Sequence, residues 1–313
     1  MTQQNQNSQM VTAPSQSPAQ PKKIDVLKSM LKAPSVVEQF QNALDKNTPT
    51  FVASIIDLYN SDSKLQLCEP KAVVMEALKA AVLKLPINKA LGYAYVIPFN
   101  NSHKDEHGNW YKVMEPVFEL GYKGYIQLAM RTGQYRTINA DVVYEGELRK
   151  VNKLSGEIAF DGEKVSDKVV GYFCYFELLN GFSKTLYMTV DQMATHAKIW
   201  SKGINSDTTI EQLLNRANLP MDVSSKAIGW MGNFHSMAIK TVIRNLLSKY
   251  GYLSIEMQQA IADDLKAENR DELIAENANS SVINLDDTNY EEVTDNGDDR
   301  QADNSKDNIN PGF

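Results

Sequence analysis

Two stretches of the sequence combine basic and aromatic residues and contain no Asp or Glu. Residues 120–140 carry three cations among three tyrosines, and residues 223–255 carry four cations with tryptophan, phenylalanine, histidine and tyrosine. Cations that follow phosphates, and rings on which bases stack, are what binding of a single strand requires. The pattern therefore indicates nucleic-acid binding, although lysines on helices and tyrosines in cores are also common in proteins that bind no nucleic acid.

The candidate contacts form two groups. The first lies within the two stretches: Lys123, Arg131, Arg136, Lys240, Arg244 and Lys249, with Tyr122 and Tyr125 beside them. The second contains lysines that could equally be solvated surface charges: Lys112, Lys198, Lys202 and Lys226. Within the first group, Lys240 and Arg244 are one turn apart on a predicted helix, beside its apolar stripe.

Two enzyme hypotheses can be built from the remaining polar residues. His103 and His107 lie four residues apart, with two acids between them, and could nominally bind a metal. Their polar surroundings are also typical of a solvated hairpin tip, and we predict no metal site. No phosphate-binding G-x-x-x-x-G-K-[ST] motif occurs, so nothing indicates nucleotide hydrolysis.

A metal-dependent nuclease is the second enzyme hypothesis. Asp141, Glu145 and Glu147 follow one another close to Arg149 and Lys150, and two-metal cleavage requires paired carboxylates near a cation. The two glutamates fall among turn residues at the end of a predicted strand, where solvated charge is the simpler interpretation. We therefore predict no catalytic residue and no cofactor.

The folded part of the chain must position these candidate residues. At both of its ends, apolar residues recur with helical spacing. Apolar residues recur with helical spacing after Pro34, Pro49 and Pro70, and proline is favoured in the first turn of a helix. Near the other end, one stripe has the spacing of a core-facing helix that stops at Gly251. Its members are Ile239, Val242, Ile243, Leu246 and Leu247.

The middle of the body reads as strands. Residues 93–99 and 116–120 are rich in β-formers on either side of a polar hairpin tip, and a short helix is predicted at 122–132. Further strands are predicted at 135–145, 168–179 and 182–190. The last two are joined by Asn180-Gly181, a strong signal for a tight hairpin.

The order of elements predicts an α+β fold. We expect one antiparallel sheet of four to five strands, flanked by helices from the N- and C-terminal parts of the body. Most connections between the strands are too short for parallel crossovers.

Charge and composition set the expected boundaries. The net charge of the 313-residue chain is −7, but residues 267–313 alone carry −10 and the rest +3. Residues 1–21 are uncharged and rich in Gln, Ser and Pro. We predict a disordered arm at 1–21, a single α+β domain at 22–278 and a disordered acidic tail at 279–313.

The cellular compartment is predicted from three features that the sequence lacks: a membrane-spanning run, a signal peptide and paired cysteines. No apolar run is long enough to cross a bilayer, and the first residues do not resemble a signal peptide. Cys68 and Cys174 are the only cysteines and lack CxxC spacing, which is typical of a reducing cytoplasm. We expect a cytoplasmic protein without a membrane partner.

Three blocks of the sequence resemble the RecT-type, phage Red-beta-like, single-strand annealing proteins of phages and prophages. They are KLPINKALGYAYVIPF (84–99), PVFELGYKGYIQLAMRTGQYRTINADVVYEGE (116–147) and MAIKTVIRNLLSKYGYLS (237–254). The resemblance covers roughly residues 70–255. The Gly-Tyr-Lys-Gly turn at 121–124 is its most specific part.

The resemblance implies a protein that coats single-stranded DNA and pairs complementary strands without nucleotide hydrolysis, in phage-type recombination inside a bacterial cell. It implies assembly into rings or helical filaments, an annealed duplex intermediate and a partner exonuclease. A host single-strand-binding protein is a further expected partner. The alternatives left open are a passive coating protein and, less favoured, the nuclease.

Overall fold

A computed structural model of the chain describes residues 22–152, 154, 156–201, 203–219 and 229–267. The predicted arm at 1–21 and acidic tail at 279–313 lie outside these residues, as do Lys202 and Lys226. The described residues all belong to one compact unit. In this part of the chain, no helix is long and apolar enough to cross a membrane.

The N-terminal part of the body is a cluster of helices. They are α1 (Lys23–Leu31), α2 (Pro34–Leu44), α3 (Thr48–Ser61) and α4 (Pro70–Val82), with short 3-10 turns at Asp45–Asn47 and Leu65–Leu67. Proline occupies the first turn of α2, α3 and α4, where the missing N–H would have no partner within the helix. The three helices predicted after prolines, α2, α3 and α4, are confirmed, and α1 was not predicted.

A long antiparallel hairpin follows, made of β1 (Ala94–Lys104) and β2 (Trp110–Leu120). Both strands run further than the sequence predicted, so the turn is confined to Asp105–Asn109. The Asp105 carboxylate accepts the backbone N–H groups of His107 at 2.9 Å and Asn109 at 2.8 Å. These bonds fix the turn. They also lower the pKa of Asp105: the bond from the Asn109 backbone has the largest effect, and burial, which would raise the pKa, is slight.

The second sheet contains β3 (Tyr135–Tyr144), β6 (Val169–Leu178) and β7 (Ser183–Thr189), in the order β3-β6-β7 with every pairing antiparallel. The Asn180-Gly181 hairpin between β6 and β7 is confirmed. Two short strands, β4 (Lys150–Val151) and β5 (Ile158–Ala159), pair only with each other among the described residues.

The α+β class is therefore confirmed, but the prediction of one sheet of four to five strands is wrong. The largest sheet of the described residues has three strands. Helix α4 packs on the β1–β2 hairpin, and its Glu76 Oε2 accepts the backbone N–H of Phe118 in β2 at 2.7 Å. A side chain of a helix thus bonds the backbone N–H at the edge of the hairpin that a further strand would otherwise have bonded.

Five further helices of the described residues pack around the two sheets. They are α5 (Tyr122–Arg131), between the two sheets in sequence, then α6 (Val190–Trp200), α7 (Ile210–Ala217), α8 (Phe234–Tyr250) and α9 (Ile255–Ala267). Complete capping boxes start α6 and α7, at Thr189 and Thr209. Helix α8 packs on all three strands of the larger sheet and on α5, while α9 packs on β2 and α5.

The apolar stripe of α8 forms the centre of the core. Each residue predicted to face the core is at most 3% exposed: Ile239, Val242, Ile243, Leu246 and Leu247. On the facing sheet, Tyr172, Cys174 and Phe176 alternate along β6 and are fully buried. The same helix carries the two cations that the sequence predicted to meet DNA.

Candidate nucleic-acid interface

Lys240 and Arg244 lie inside the protein, at 4% and 1% exposure. Lys240 Nζ donates to Asp264 Oδ1 at 2.7 Å, and Arg244 Nη1 donates to Asp264 Oδ2 at 2.9 Å. Asp264 belongs to α9 and is itself 1% exposed. One carboxylate on α9 therefore bridges two cations one turn apart on α8.

Two further elements join this buried cluster. The Tyr125 hydroxyl of α5 donates to Asp264 Oδ2 at 2.9 Å, and Glu119 Oε2 of β2 lies 3.4 Å from Lys240 Nζ. Burial of Asp264 would raise its pKa, but the charges of Lys240 and Arg244 outweigh burial and hold the pKa below its usual value. The cluster is ionised and connects β2, α5, α8 and α9.

The sequence predicted that Lys240 and Arg244 line a DNA groove with Tyr125 nearby, and the structure instead encloses all three side chains in the core. A side chain enclosed by protein and paired with Asp264 cannot reach a phosphate or a base without opening the core. These residues instead hold α9 against the body. The sequence pattern failed here because the neutralising acid lies twenty positions beyond Arg244, outside the acid-free stretch.

The Gly-Tyr-Lys-Gly turn starts α5 by close approach of two backbones. Gly121 N–H donates to the Tyr93 carbonyl at 2.9 Å. A Cβ on Gly124 would overlap that same carbonyl oxygen, and one on Gly121 would overlap the carbonyl of Gly92. Glycine at both positions is therefore required for α5 to dock beside the hairpin.

This docking exposes Lys123 and leaves Tyr122 half-buried against the core. The Lys123 side chain passes over Gly92. A Cβ added at Gly92 would lie 3.5 Å from Cδ of Lys123. At the other end of α5, the exposed Arg131 donates to the carbonyls of Leu83 at 2.7 Å and Lys84 at 3.0 Å. Arg131 therefore already ties α5 to the end of α4.

The remaining basic candidates are on the surface. Arg136 is exposed, and its Nη1 lies 2.6 Å from Glu177 Oε1. Lys112 is exposed on the β1–β2 hairpin, where Trp110 and Tyr111 are 68% and 49% exposed. Lys198 is half-buried and donates to the carbonyl of Ser206 at 2.6 Å, so it closes the loop after α6.

Lys249 is part of a cluster that the sequence did not reveal. Its Nζ lies 5.5 Å from the ring centroid of Tyr250, and Lys184 Nζ lies 5.4 Å from the same ring. No carboxylate of the described residues is within ion-pair distance of either lysine. We call Lys184, Lys249 and Tyr250 the cation–aromatic cluster. Lys184 was missed because only the folding of β7 beside the end of α8 brings it there.

The carboxylates of the nuclease hypothesis do not converge. Glu147 Oε2 accepts the backbone N–H of Tyr144 at 2.7 Å, and Glu145 Oε2 accepts the hydroxyl of Ser166 at 2.8 Å. His103 faces Glu115 at 3.1 Å across the hairpin. Within the described residues, no three His, Cys, Asp or Glu side chains are arranged to hold a metal ion.

The described residues form an α+β body in which exposed cations such as Lys249 lie beside aromatic rings, an arrangement that is common on nucleic-acid-binding surfaces. The sequence model of the RecT family matches residues 49–276. The chain belongs to the RecT family, whose members are annealing proteins of phage-type recombination and DNA repair.

Two relatives support the assignment over most of their lengths. An uncharacterized protein, YqaK of Bacillus subtilis (strain 168), is 41% identical over 268 residues, which are 85% of this chain and 82% of the relative. Protein RecT of Escherichia coli (strain K12) is 27% identical over 283 residues, 87% of this chain and 90% of RecT. Family membership suggests single-stranded DNA binding and self-assembly.

Proposed function

We propose that this protein binds single-stranded DNA and anneals complementary strands without ATP. The observation that carries the proposal is the family match, which covers residues 49–276 and hence the described body from α3 through α9. The missing phosphate-binding motif agrees with a reaction that needs no nucleotide hydrolysis.

The DNA surface that we propose is built from the members of the predicted set that are not enclosed in the core. Lys123, Arg131, Arg136 and Lys249 remain candidates for phosphate contacts, with Tyr122 beside them. Lys112 is a further candidate on the hairpin, Lys198 a weaker one because it binds its own loop, and Lys202 and Lys226 rest on sequence alone. We add Lys184 and Tyr250, since a ring close to two cations suits a base with its flanking phosphates.

Annealing follows from such a surface without covalent chemistry. Cations that hold one strand by its phosphates leave its bases unpaired and available. A second strand then pairs with them, and base pairing supplies the sequence specificity while the protein contacts the backbone. Because the first strand is already extended and aligned, part of the entropic cost of pairing has been met before the second strand arrives.

We propose that copies of the chain assemble along the strand as a ring or filament, so that neighbouring surfaces continue one another and binding is cooperative. An exonuclease that exposes the strand and a host single-strand-binding protein are the partners that we propose. The setting would be the cytoplasm of a bacterial cell that carries the phage or prophage.

A passive coating protein is the alternative that shares the same surface. It would bind a strand equally well but keep its bases from pairing. A single assay separates the two: two complementary labelled oligonucleotides are mixed with the full chain, without ATP, with and without Mg²⁺. Accelerated duplex formation supports annealing, slowed pairing supports coating, and shortened oligonucleotides support a nuclease.

A further inference from the structure

A cleft of 420 Å³ lies on the face of the β3-β6-β7 sheet that is turned away from α8. Asn139, Tyr175 and Thr185 form one row across the three strands, because Tyr175 pairs with both neighbours in the register. The loop containing β5 covers this row from outside. A volume of this size is within the range of pockets that hold small organic groups, about 300–1,000 Å³.

Aromatic rings form much of the cleft wall. Phe160, next to β5, stacks on Phe173 of β6 with ring centroids 4.6 Å apart, and it also approaches Tyr187 at 5.9 Å. Tyr175, two residues along β6 from Phe173, is half-buried and lines the same cleft. A sheet face with solvent-accessible rings is a surface on which unpaired bases can stack.

The cleft is also connected to the proposed phosphate-binding surface. Lys184 lines the cleft, and its ammonium lies 5.4 Å from the Tyr250 ring centroid in the cation–aromatic cluster. Thr185 and Asn139 supply hydroxyl and amide groups inside. Glu157, also in the lining, lies 3.5 Å from Lys150 Nζ, so a nearby cation offsets its charge.

We propose that this cleft accepts one unpaired nucleobase of the bound strand. The base stacks against Tyr175, Asn139 and Thr185 lie within reach of its polar edge, and Lys184 contacts the adjoining phosphate. This inference rests on the proposed function, because it requires that the chain bind single strands. It adds a second place for a base, besides the ring of Tyr250, to the proposed DNA surface.

The test compares two probes of equal length, oligo-dT and the same backbone with abasic sugars. Affinities are measured for the full chain and for Tyr175→Ala, Tyr175→Leu and Tyr175→Phe, each with thermal unfolding as a check of folding. Tyr175→Leu retains a bulky apolar side chain on the strand and removes the ring together with its hydroxyl. Tyr175→Phe retains the ring and removes the hydroxyl, so it is the matched control.

Stacking of one base is lost when the ring is removed, so Tyr175→Leu and Tyr175→Ala should weaken oligo-dT binding roughly 5- to 150-fold. Binding of the abasic probe should be unchanged, and Tyr175→Phe should bind oligo-dT like the original chain. Equal losses for both probes, or no loss for either, would overturn the cleft while leaving single-strand binding intact. If the original chain binds neither probe, the proposed function fails as well.

Discussion

At the scale of single residues, Asp264 is the buried partner of two cations that were predicted to contact DNA. Its carboxylate binds Lys240, Arg244 and the hydroxyl of Tyr125 inside the protein. A buried carboxylate of this kind contributes little compared with a well-packed apolar residue, but removing one partner alone leaves charge uncompensated. The packing of α9 against the body therefore depends on this side chain as well as on the buried apolar residues Met257, Ala260 and Ile261.

Asp264→Ala should lower the free energy of unfolding by about 3–5 kcal/mol, because two buried cations lose a shared carboxylate. The neighbouring Asp263→Ala is the control, since Asp263 is half-buried and accepts one side-chain bond, from Gln259 at 3.1 Å. That variant should change stability by no more than roughly 0.5 kcal/mol. Urea unfolding followed by circular dichroism measures both, and equal effects would contradict the role given to Asp264.

The stability of the protein should also depend on pH through the protonation of Asp264. The pKa of Asp264 is lower in the folded chain than the ordinary value of about 3.9 expected for the unfolded chain. The cluster therefore contributes its full stability above about pH 4, and the contribution is lost as pH falls through the lower, folded pKa. Between pH 5 and pH 3, wild-type unfolding free energy should fall more steeply than that of Asp264→Asn; parallel profiles would argue against an ionised cluster.

At the scale of elements, the Gly-Tyr-Lys-Gly turn shows how a sequence motif acts through the backbone. Gly124 lies within α5, where alanine would normally favour the helix by about 1 kcal/mol. Here a Cβ would overlap the Tyr93 carbonyl oxygen and lie 2.7 Å from Leu120 Cδ1. The steric cost exceeds the gain in helix propensity because a backbone carbonyl cannot rotate away.

We expect Gly124→Ala to destabilise the protein by roughly 1–3 kcal/mol, as other overpacked substitutions do. Gly203→Ala is the matched control, since its Cβ would meet only Ser201 Oγ at 3.7 Å. Thermal or urea unfolding of both variants decides the matter. A Gly124→Ala chain as stable as the original would mean that α5 does not dock closely on residue 93.

Elements with strong local signals were predictable, and their assembly was not. Apolar residues at helical spacing after a proline placed α2, α3 and α4, and Asn180-Gly181 placed the β6–β7 hairpin. The β1–β2 hairpin forms its own sheet, and Glu76 of α4 accepts an edge N–H of β2 from a position 42 residues away in the sequence. No periodicity within either segment reports such a contact.

The candidate site shows the same division. The acid-free stretches included Lys249, which is exposed, but could not separate surface cations from the buried pair on α8. Lys184 carries no local signal, since it is one lysine after a hairpin turn. Its position beside Tyr250 follows only from the pairing of β7 with β6 and the packing of α8 on both strands.

At the scale of the whole molecule, salt dependence measures how many phosphates the surface neutralises. Each lost phosphate contact should reduce the slope of log affinity against log salt by about 0.7 for a single strand. Lys184→Ala together with Lys249→Ala should therefore reduce it by about 1.4 at every sequence tested. Lys79→Ala is the control, because Lys79 already pairs with Glu76 at 2.8 Å on α4. An unchanged slope in the double variant would remove the cation–aromatic cluster from the DNA surface.

The most direct measurement is the second-order rate of annealing between two complementary labelled oligonucleotides, in the absence of ATP and of divalent cations. The full chain should raise this rate above that of the oligonucleotides alone, because strands held by their phosphates present their bases for pairing. Combined Lys184→Ala and Lys249→Ala substitution should lower the rate, and Lys79→Ala should leave it unchanged. If the full chain binds both oligonucleotides and pairing is slower than in its absence, the protein coats single strands and does not anneal them.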